Sequence, residues 1–443
     1  MKLVKMSLAA AVLLGASAFA LDNVKVDGDA KVYYFTKNAD TTNAVTGAKS
    51  NSLFSKGTSA ADAALRIGVT GNLMKNVSFG ATGYAISTLG LENNLVDATW
   101  TGAHTVRPGT GAGYPEVDDK AWMGEMWVAA TLSQTTLKLG RMELDTPLAF
   151  SEKWSVVPNT FDAIVAVSQE IADTTIVAGW VGKGNGTNAA GMAGLGGKNQ
   201  SVLDSVGLAL DAGVVGADAS FTTFAKNGAY TVGFLNNSFK PLTFQGWSYN
   251  VSNIASAYWL QGDVDCQLVK GLKLGAQYAA INTKITGTKD SGAYAARVAY
   301  EAIPKLKVGA SYSKADTDGT LKVANVATNN LGTAQSKLYT EAYWNYGYVG
   351  AAGAESFAVA ADYDAGVAQL FAQYTDINNK SATVLAGADH DVTELVLSAS
   401  KSFGPLDATL AYISTDAKDQ NVKVGNTTGS RYDSVLAMLK VNF

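Results

Sequence analysis

The stretch Leu272-Lys273-Leu274-Gly275-Ala276-Gln277-Tyr278-Ala279-Ala280 places Leu, Leu, Ala, Tyr and Ala at even positions and its polar side chains at odd ones. A period of two is the signature of a β-strand with two different faces, because successive side chains point to opposite sides of the pleat. Lys270-Gly271 in front of it and Ile303-Pro304-Lys305 further on punctuate the chain as turns do. The same alternation runs through Val24, Val26, Gly28, Ala30, Val32 and Tyr34, with Lys25, Asp27, Asp29, Lys31 and Tyr33 opposite. It recurs in Leu306, Val308, Ala310 and Tyr312 against Lys307, Gly309, Ser311 and Ser313. It closes the chain in Val435, Ala437, Leu439, Val441 and Phe443 against Ser434, Lys440 and Asn442. No long window carries a helical apolar stripe, so the chain reads as all-β.

What the apolar face meets decides the architecture. Many segments run about 10 residues, the length of a tilted membrane-crossing strand, whereas strands of soluble sandwiches centre on about 5–6. Alanine and glycine on the apolar faces would leave holes in a protein core, but cost little against lipid. Charges such as Asp27, Asp29 and Lys31 stay hydrated if they face a water-filled lumen, and in a sandwich core they would need partners. The expected fold is therefore a transmembrane antiparallel β-barrel with Lys25, Asp27, Asp29 and Lys31 facing the lumen.

Composition agrees. The 443 residues include 45 Gly, 19 Tyr, 15 Phe, 8 Trp and one Cys, with 16% charged and 47% apolar residues. Globular domains average roughly 25% charge, so this chain is short of it. The aromatic content excludes disorder, Cys266 alone excludes a disulfide scaffold, and a formal charge of −4 argues against a nucleic-acid partner. Lys2 and Lys5, the apolar run Leu8 to Leu14, and Ala18-Phe19-Ala20 follow the order of a cleaved export signal. Residues 1–20 are thus expected to be a leader and 21–443 a single barrel domain. Losing Lys2 and Lys5 takes the basic count from 34 to 32 against 38 acidic residues.

Connections alternate in length. Short ones are expected at 72–76, 133–135, 171–173, 211–213, 270–271, 303–305, 364–366 and 403–405. Longer polar stretches lie at about 37–60, 88–119, 142–160, 184–201, 317–334, 377–390 and 417–430. Bacterial barrels pair short periplasmic turns with long external loops and have even strand numbers, which favours about 18 strands here, with 16 or 20 as alternatives. The parity of strands across 335–353 stays open. Aromatic groups at segment ends, namely Tyr33-Tyr34-Phe35, Trp122, Trp127, Tyr258-Trp259 and Tyr343-Trp344, are candidates for the membrane boundaries.

Two patterns resemble a known family. The terminal Phe443 with its alternating strand resembles the sorting signal that the outer-membrane assembly machinery reads. Gly140-Arg141-Met142-Glu143-Leu144-Asp145-Thr146-Pro147, followed by Val156-Val157-Pro158-Asn159-Thr160-Phe161-Asp162-Ala163, resembles the third-loop signature of the OprD-like porins. The start Met1-Lys2-Leu3-Val4-Lys5-Met6-Ser7-Leu8, the acidic balance and the alanine-rich strands resemble the branch of major outer-membrane porins of Campylobacter-like bacteria. Where relatives often place an acidic and a basic residue between the two halves, the slots here read Ser151-Glu152-Lys153-Trp154.

The resemblance implies an 18-stranded barrel, usually a homotrimer, whose third loop folds inward to narrow the channel. It sits in a bilayer bearing lipopolysaccharide and lets ions and small hydrophilic solutes pass by general diffusion. Arg141, Glu143, Asp145, Glu152 and Lys153 are the expected constriction residues, stiffened by Pro147 and Pro158, because opposite charges at an eyelet sort permeants by charge. The acidic excess and only five arginines suggest mild cation preference. An alternative is a surface barrel whose loops act in adhesion or structure.

Catalysis finds little support. His104 and His390 are far apart and no zinc-type pair exists. Gly191 to Asn199 has Met192 and Asn199 where a phosphate-binding loop needs Gly and Ser or Thr. Glu116/Asp118/Asp119 and Asp316/Asp318 with Gly319 complete no Ca²⁺ loop. No enzyme activity, catalytic residue, resident metal or cofactor is expected. The resemblance implies that a divalent cation such as Ca²⁺ can sit near the constriction, with no matching residue set in this sequence.

Overall fold

The computed structural model describes residues 21–38, 41–42, 49–50, 52–55, 59–87, 89–91, 95–96, 119–186, 215, 219–223, 227–328, 334–380, 391–416 and 431–443. The expected leader, His104, His390, Glu116, Asp118, the glycine-rich segment at 191–199 and the turn expected at 211–213 lie outside them.

Eighteen long strands form the wall. They are β1 (Asp22–Lys37), β2 (Ser59–Met74), β3 (Val77–Ser87), β4 (Lys120–Leu132), β5 (Thr135–Met142), β6 (Phe161–Ser168), β7 (Thr174–Gly184), β8 (Ala229–Asn236) and β9 (Leu242–Val251). The second half comprises β10 (Ala255–Asp265), β11 (Leu272–Thr283), β12 (Ser291–Ile303), β13 (Leu306–Ala315), β14 (Ala354–Asp364), β15 (Gln369–Asn379), β16 (Val392–Phe403), β17 (Leu406–Asp416) and β18 (Arg431–Asn442). Each pairs antiparallel with its neighbours in sequence, and β1 pairs with β18, so the sheet closes and leaves no free edge.

The seam is sealed by the last residue. Gly28 N–H donates to the Phe443 carbonyl at 2.8 Å and Phe443 N–H returns the bond at 2.9 Å. A side chain at Gly28 would run into the Phe443 ring and the Arg66 carbonyl, so glycine is what lets the aromatic lie across the joint.

The alternation read from the sequence is the alternation of the wall. Leu274, Tyr278, Val308, Leu439 and Val441 are exposed on the outside, where bilayer replaces water. Lys31, Lys440, Tyr33 and Met438 pair across the seam on the inner row, as do Asp29 and Asn442; Lys25 and Asp27 share that row and pair with Thr70 and Gly68 of β2. Of the aromatics considered for the membrane boundary, Tyr34 and Tyr258 lie in outward rows. Tyr33, Phe35 and Trp259 are buried on the inner one. Trp122 and Trp127 also sit inward, paired with Tyr84 and Gly80.

Residues 335–353 hold no strand. They belong to the connection 316–353 between β13 and β14, here L7, and among its described residues the one helical element is a turn of 3₁₀ helix at Tyr346–Tyr348. Its Leu321, Val323, Leu338, Trp344 and Val349 are buried. The aromatic run Tyr343-Trp344-Asn345-Tyr346 imitates a strand pattern because it packs inside a barrel rather than in its wall.

Candidate functional site

The site is the interior between two inward connections: L3 (143–160), between β5 and β6, and L7. The β-wall leaves room for them by using small side chains. Ala255, Ala257, Ala279, Ala293, Ala295, Ala315, Ala354 and Ala358 are buried on the inner rows. At Gly275 a Cβ would stand 2.6 Å from the Tyr339 hydroxyl, closer than atoms tolerate. The alanines that the sequence seemed to spend on lipid thus also serve the lumen.

L7 is bonded to the wall along its length. The Gln277 side chain donates to the Lys337 carbonyl at 2.9 Å and accepts from Tyr339 N–H at 3.0 Å. Tyr339 donates its hydroxyl proton to Asp263 at 2.7 Å, and Arg297, which pairs with the same carboxylate at 2.7 Å, lies 4.3 Å over the Tyr339 ring. Ser311 donates to the Tyr339 carbonyl and Gln373 to the Glu341 carbonyl. On the far side the Glu394 carboxylate accepts from the backbone N–H groups of Trp344 and Asn345, and from the Asn345 side chain at 2.7 Å. Each bond satisfies a buried polar group of a segment that has no ladder of its own.

L3 is joined to L7. Val326 N–H donates to the Leu148 carbonyl at 2.9 Å. Asn325 accepts from Phe150 N–H and donates to its carbonyl at 2.8 Å, mimicking a strand partner. Glu152 is buried and accepts from Asn325 (3.0 Å), Thr328 (2.5 Å), Gln335 N–H (3.2 Å) and Trp154 Nε1 (3.1 Å). Burial pushes its carboxyl pKa up, and these donors pull against that. Trp154 packs edge-on against Trp344, which stacks on Phe35 of β1 at 4.6 Å. The two connections form one partition, reaching from β1 across to β16.

The expected constriction residues separate into three groups. Glu143, Asp145 and Lys153 are exposed or half-buried on L3: Lys153 pairs with Glu143 at 2.5 Å, and Asp145, 84% exposed, pairs with Lys337 of L7. Glu152 is a correction, because it is buried in the joint and presents no charge to the channel. Arg141 is the second correction. It pairs in register with Met126 and Asp162, in the row of Leu139 and Ile164, which are exposed on the outside. There it is bound to Asp162 at 2.8 Å and to the Met123 carbonyl at 2.8 Å, with its guanidinium over the Phe221 ring. Strand parity decides this, since Met142 beside it is buried inward.

Opposite L3, the inner rows of β1–β5 carry charges that the motif did not reveal. Arg66 bridges Asp27 at 2.6 Å and Asp29 at 3.3 Å. Thr82 donates to Glu125, and Lys138 lies 4.1 Å over Trp127. Lys31 reaches L3 itself, donating to the Ser155 carbonyl at 3.1 Å. Glu143 is an electrostatic neighbour of both Lys31 and Lys138. Arg66 and Lys138 follow from extending the alternation into β2 and β5; Lys337 and Asn325 lie in L7, where no periodicity points to them.

A closed barrel with two connections folded across it is a channel architecture, and it matches known proteins. The model of the outer membrane porin, OprD family, matches residues 101–370. The chain belongs to the OprD family of outer membrane porins. Its fold is similar to solved Pseudomonas aeruginosa porins. One is OpdO, with a TM-score of 0.65 at 13% identity, covering 96% of this chain and 98% of that one. Another is OccK8 (OprE), with 0.64 at 16% identity over 95% and 98%. A third is OpdK, solved with vanillate, with 0.65 at 13% identity over 95% and 98%. No curated protein sequence matches. Membership places this porin in the outer membrane, and porins of this family are channels rather than enzymes.

Proposed function

We propose that this porin passes ions and small hydrophilic solutes passively and by general diffusion, with mild cation preference, and that the joined L3–L7 partition sets its size limit. The observation that carries the reading is the partition itself. It leaves charges of both signs on one side, Asp27, Asp29, Glu125 and Glu143 against Lys31, Arg66, Lys138 and Lys153, as a small polar permeant needs in place of its water. The exposed carboxylate of Asp145 and the acidic excess of the chain support the cation preference.

Reconstitution in planar bilayers under a KCl gradient tests the charge reading, and liposome swelling with sugars of graded size tests the size limit. A reversal potential of anionic sign removes the cation preference. Failure to open channels removes the function.

We further propose a place in the branch of Campylobacter-type porins, a cleaved leader ahead of Leu21, a homotrimer in a lipopolysaccharide-bearing membrane, and recognition of the β18 strand by the assembly machinery. Support comes from the pattern of Lys2 and Lys5, the apolar run Leu8 to Leu14 and Ala18-Phe19-Ala20, and from the seam position of Phe443. An oligomeric, heat-modifiable band on unboiled electrophoresis tests the trimer.

A further inference from the structure

On the rim opposite L3 and L7, which faces the periplasm in outer-membrane barrels, the turns are not alike. Those after β2, β12 and β16 are tight two-residue turns (75–76, 304–305, 404–405). Those after β6, β8 and β10 are five or six residues long (169–173, 237–241, 266–271). Between the first two of these longer turns and the 133–134 turn lies a groove of about 530 Å³, lined by Gln134, Gln169, Asp173, Asn237, Lys240 and Thr243. Small-molecule sites typically occupy about 300–1,000 Å³, so the groove can seat a ligand rather than a few waters.

The groove is preformed. Gln169 N–H donates to the Gln134 carbonyl at 3.0 Å, Asn237 N–H to the Asp173 carbonyl at 2.8 Å, and Asp265 N–H to the Pro241 carbonyl at 2.9 Å. Glu170 clamps the first turn, accepting from Gln134 N–H at 2.8 Å and from the Ser133 hydroxyl. Asp173 and Lys240 pair at 3.4 Å, and Asp265, which also lines the groove, pairs with Lys273 at 3.5 Å, so each charge of the lining has a counter-charge. A large apolar side chain, Ile171, lines the same groove at 57% exposure.

We propose that this groove binds a saccharide bearing amide groups, presented from the periplasm. Carboxamides offer a donor and an acceptor on one planar group, matching hydroxyls and N-acetyl groups that do both. Ile171, which lines the groove, supplies the apolar surface on which the C–H face of a pyranose ring rests. A lining whose charges are each paired does not favour a strongly charged ligand, and a closed barrel offers no edge to which an extended peptide could add as a strand. Two sources share this chemistry, the glycan of the cell wall and free N-acetylated saccharides.

The test uses the full-length porin in detergent, with purified peptidoglycan sacculi in a sedimentation assay and N-acetylglucosamine tetrasaccharide in calorimetry. Wild-type protein is expected to bind at least one of these probes. Q169A/N237A and I171A should each weaken that binding about tenfold or more. Both variants should keep wild-type conductance and heat-modifiable migration, since these side chains lie outside the partition. Sacculus binding identifies the cell wall as the source, and tetrasaccharide binding alone identifies a free saccharide. No binding of either probe, or binding that both variants retain, overturns the proposal while leaving the channel reading untouched.

Discussion

Asn325 of L7 holds Glu152 of L3 through a 3.0 Å bond between its Nδ2 and the carboxylate Oε1, and both side chains are buried. The same carboxamide bonds both backbone groups of Phe150. One side chain therefore ties two connections that lie more than 170 residues apart in sequence.

Replacing it should loosen the partition. Asn325→Ala leaves the Phe150 amide and carbonyl unpaired and deprives a buried carboxylate of one of its four donors; each buried polar group left unpaired costs about 1–3 kcal/mol. The wall strands pair independently of L7, so the barrel should still close. The expected outcome is larger open-channel current noise with unchanged migration in unboiled gels. Wild-type noise in the variant would show that the joint is not what steadies the channel.

The partition should also respond to pH. Burial, with the Glu152 charge adding to it, raises the Glu341 carboxyl to about 8, and its Oε1 has no hydrogen-bond donor among the described residues. A group whose folded pKa lies above its unfolded value stabilises the fold fully below the unfolded pKa, and this is lost as pH rises through the folded one. L7 should therefore be held more tightly at pH 5 than at pH 8.5. Lys322, largely buried and donating to the Gly347 carbonyl at 2.7 Å, is depressed to about 8 by desolvation. Its contribution has the opposite sign, with stability rising as pH climbs from about 8 towards the unfolded lysine value. Hydrogen exchange of L7 amides between pH 5 and 8.5, corrected for intrinsic rates, should show falling protection. Glu341→Gln should flatten the profile, and an unaltered profile in that variant would assign the response elsewhere.

Much of the wall was legible because period two survives in a barrel strand: each row keeps one solvent, lipid or water, from end to end. Leu274 and Gln277, or Leu439 and Lys440, could be assigned to opposite faces from letters alone. L7 was not legible. Its order comes from bonds to residues far along the chain, Gln277, Gln373 and Glu394, and local pattern carries no trace of these. Of the third-loop signature, the family resemblance implied the inward loop but not the direction of each side chain. Arg141 stands one residue before the loop leaves the wall, and parity sends it outward. Glu152 reads as a channel charge until Asn325, Thr328 and Gln335 are seen to surround it.

The seam offers a test of closure. Gly28→Leu must displace the Phe443 ring and meets the Arg66 carbonyl, which belongs to the wall and cannot swing away. Deleting Phe443 removes the two backbone bonds to Gly28, each worth about 0.5–1.5 kcal/mol net. Both variants should lower the temperature at which the compact band converts to the unfolded one, by several degrees, with the leucine variant the more affected. Equal conversion temperatures for wild type and G28L would mean that the ring does not seal the joint.

Selectivity should be movable without touching the fold. Asp145 and Lys337 pair at the surface of the partition, with the carboxylate largely in solvent, and exposed pairs of this kind stabilise by only about 0–1 kcal/mol. Neutralising one partner should therefore change the local field and leave conversion temperatures nearly unaltered. Asp145→Asn frees the Lys337 ammonium to attract anions, so the reversal potential in a KCl gradient should move in the anionic direction. Lys337→Gln should move it in the cationic direction. Salt screens charges over about 10 Å at 0.1 M and about 3 Å at 1 M, so both shifts should shrink when the measurement is repeated at high salt. Shifts of the same sign in the two variants, or shifts that persist undiminished at 1 M, would place the selecting field on other residues, with Arg66 and Lys138 the next to exchange.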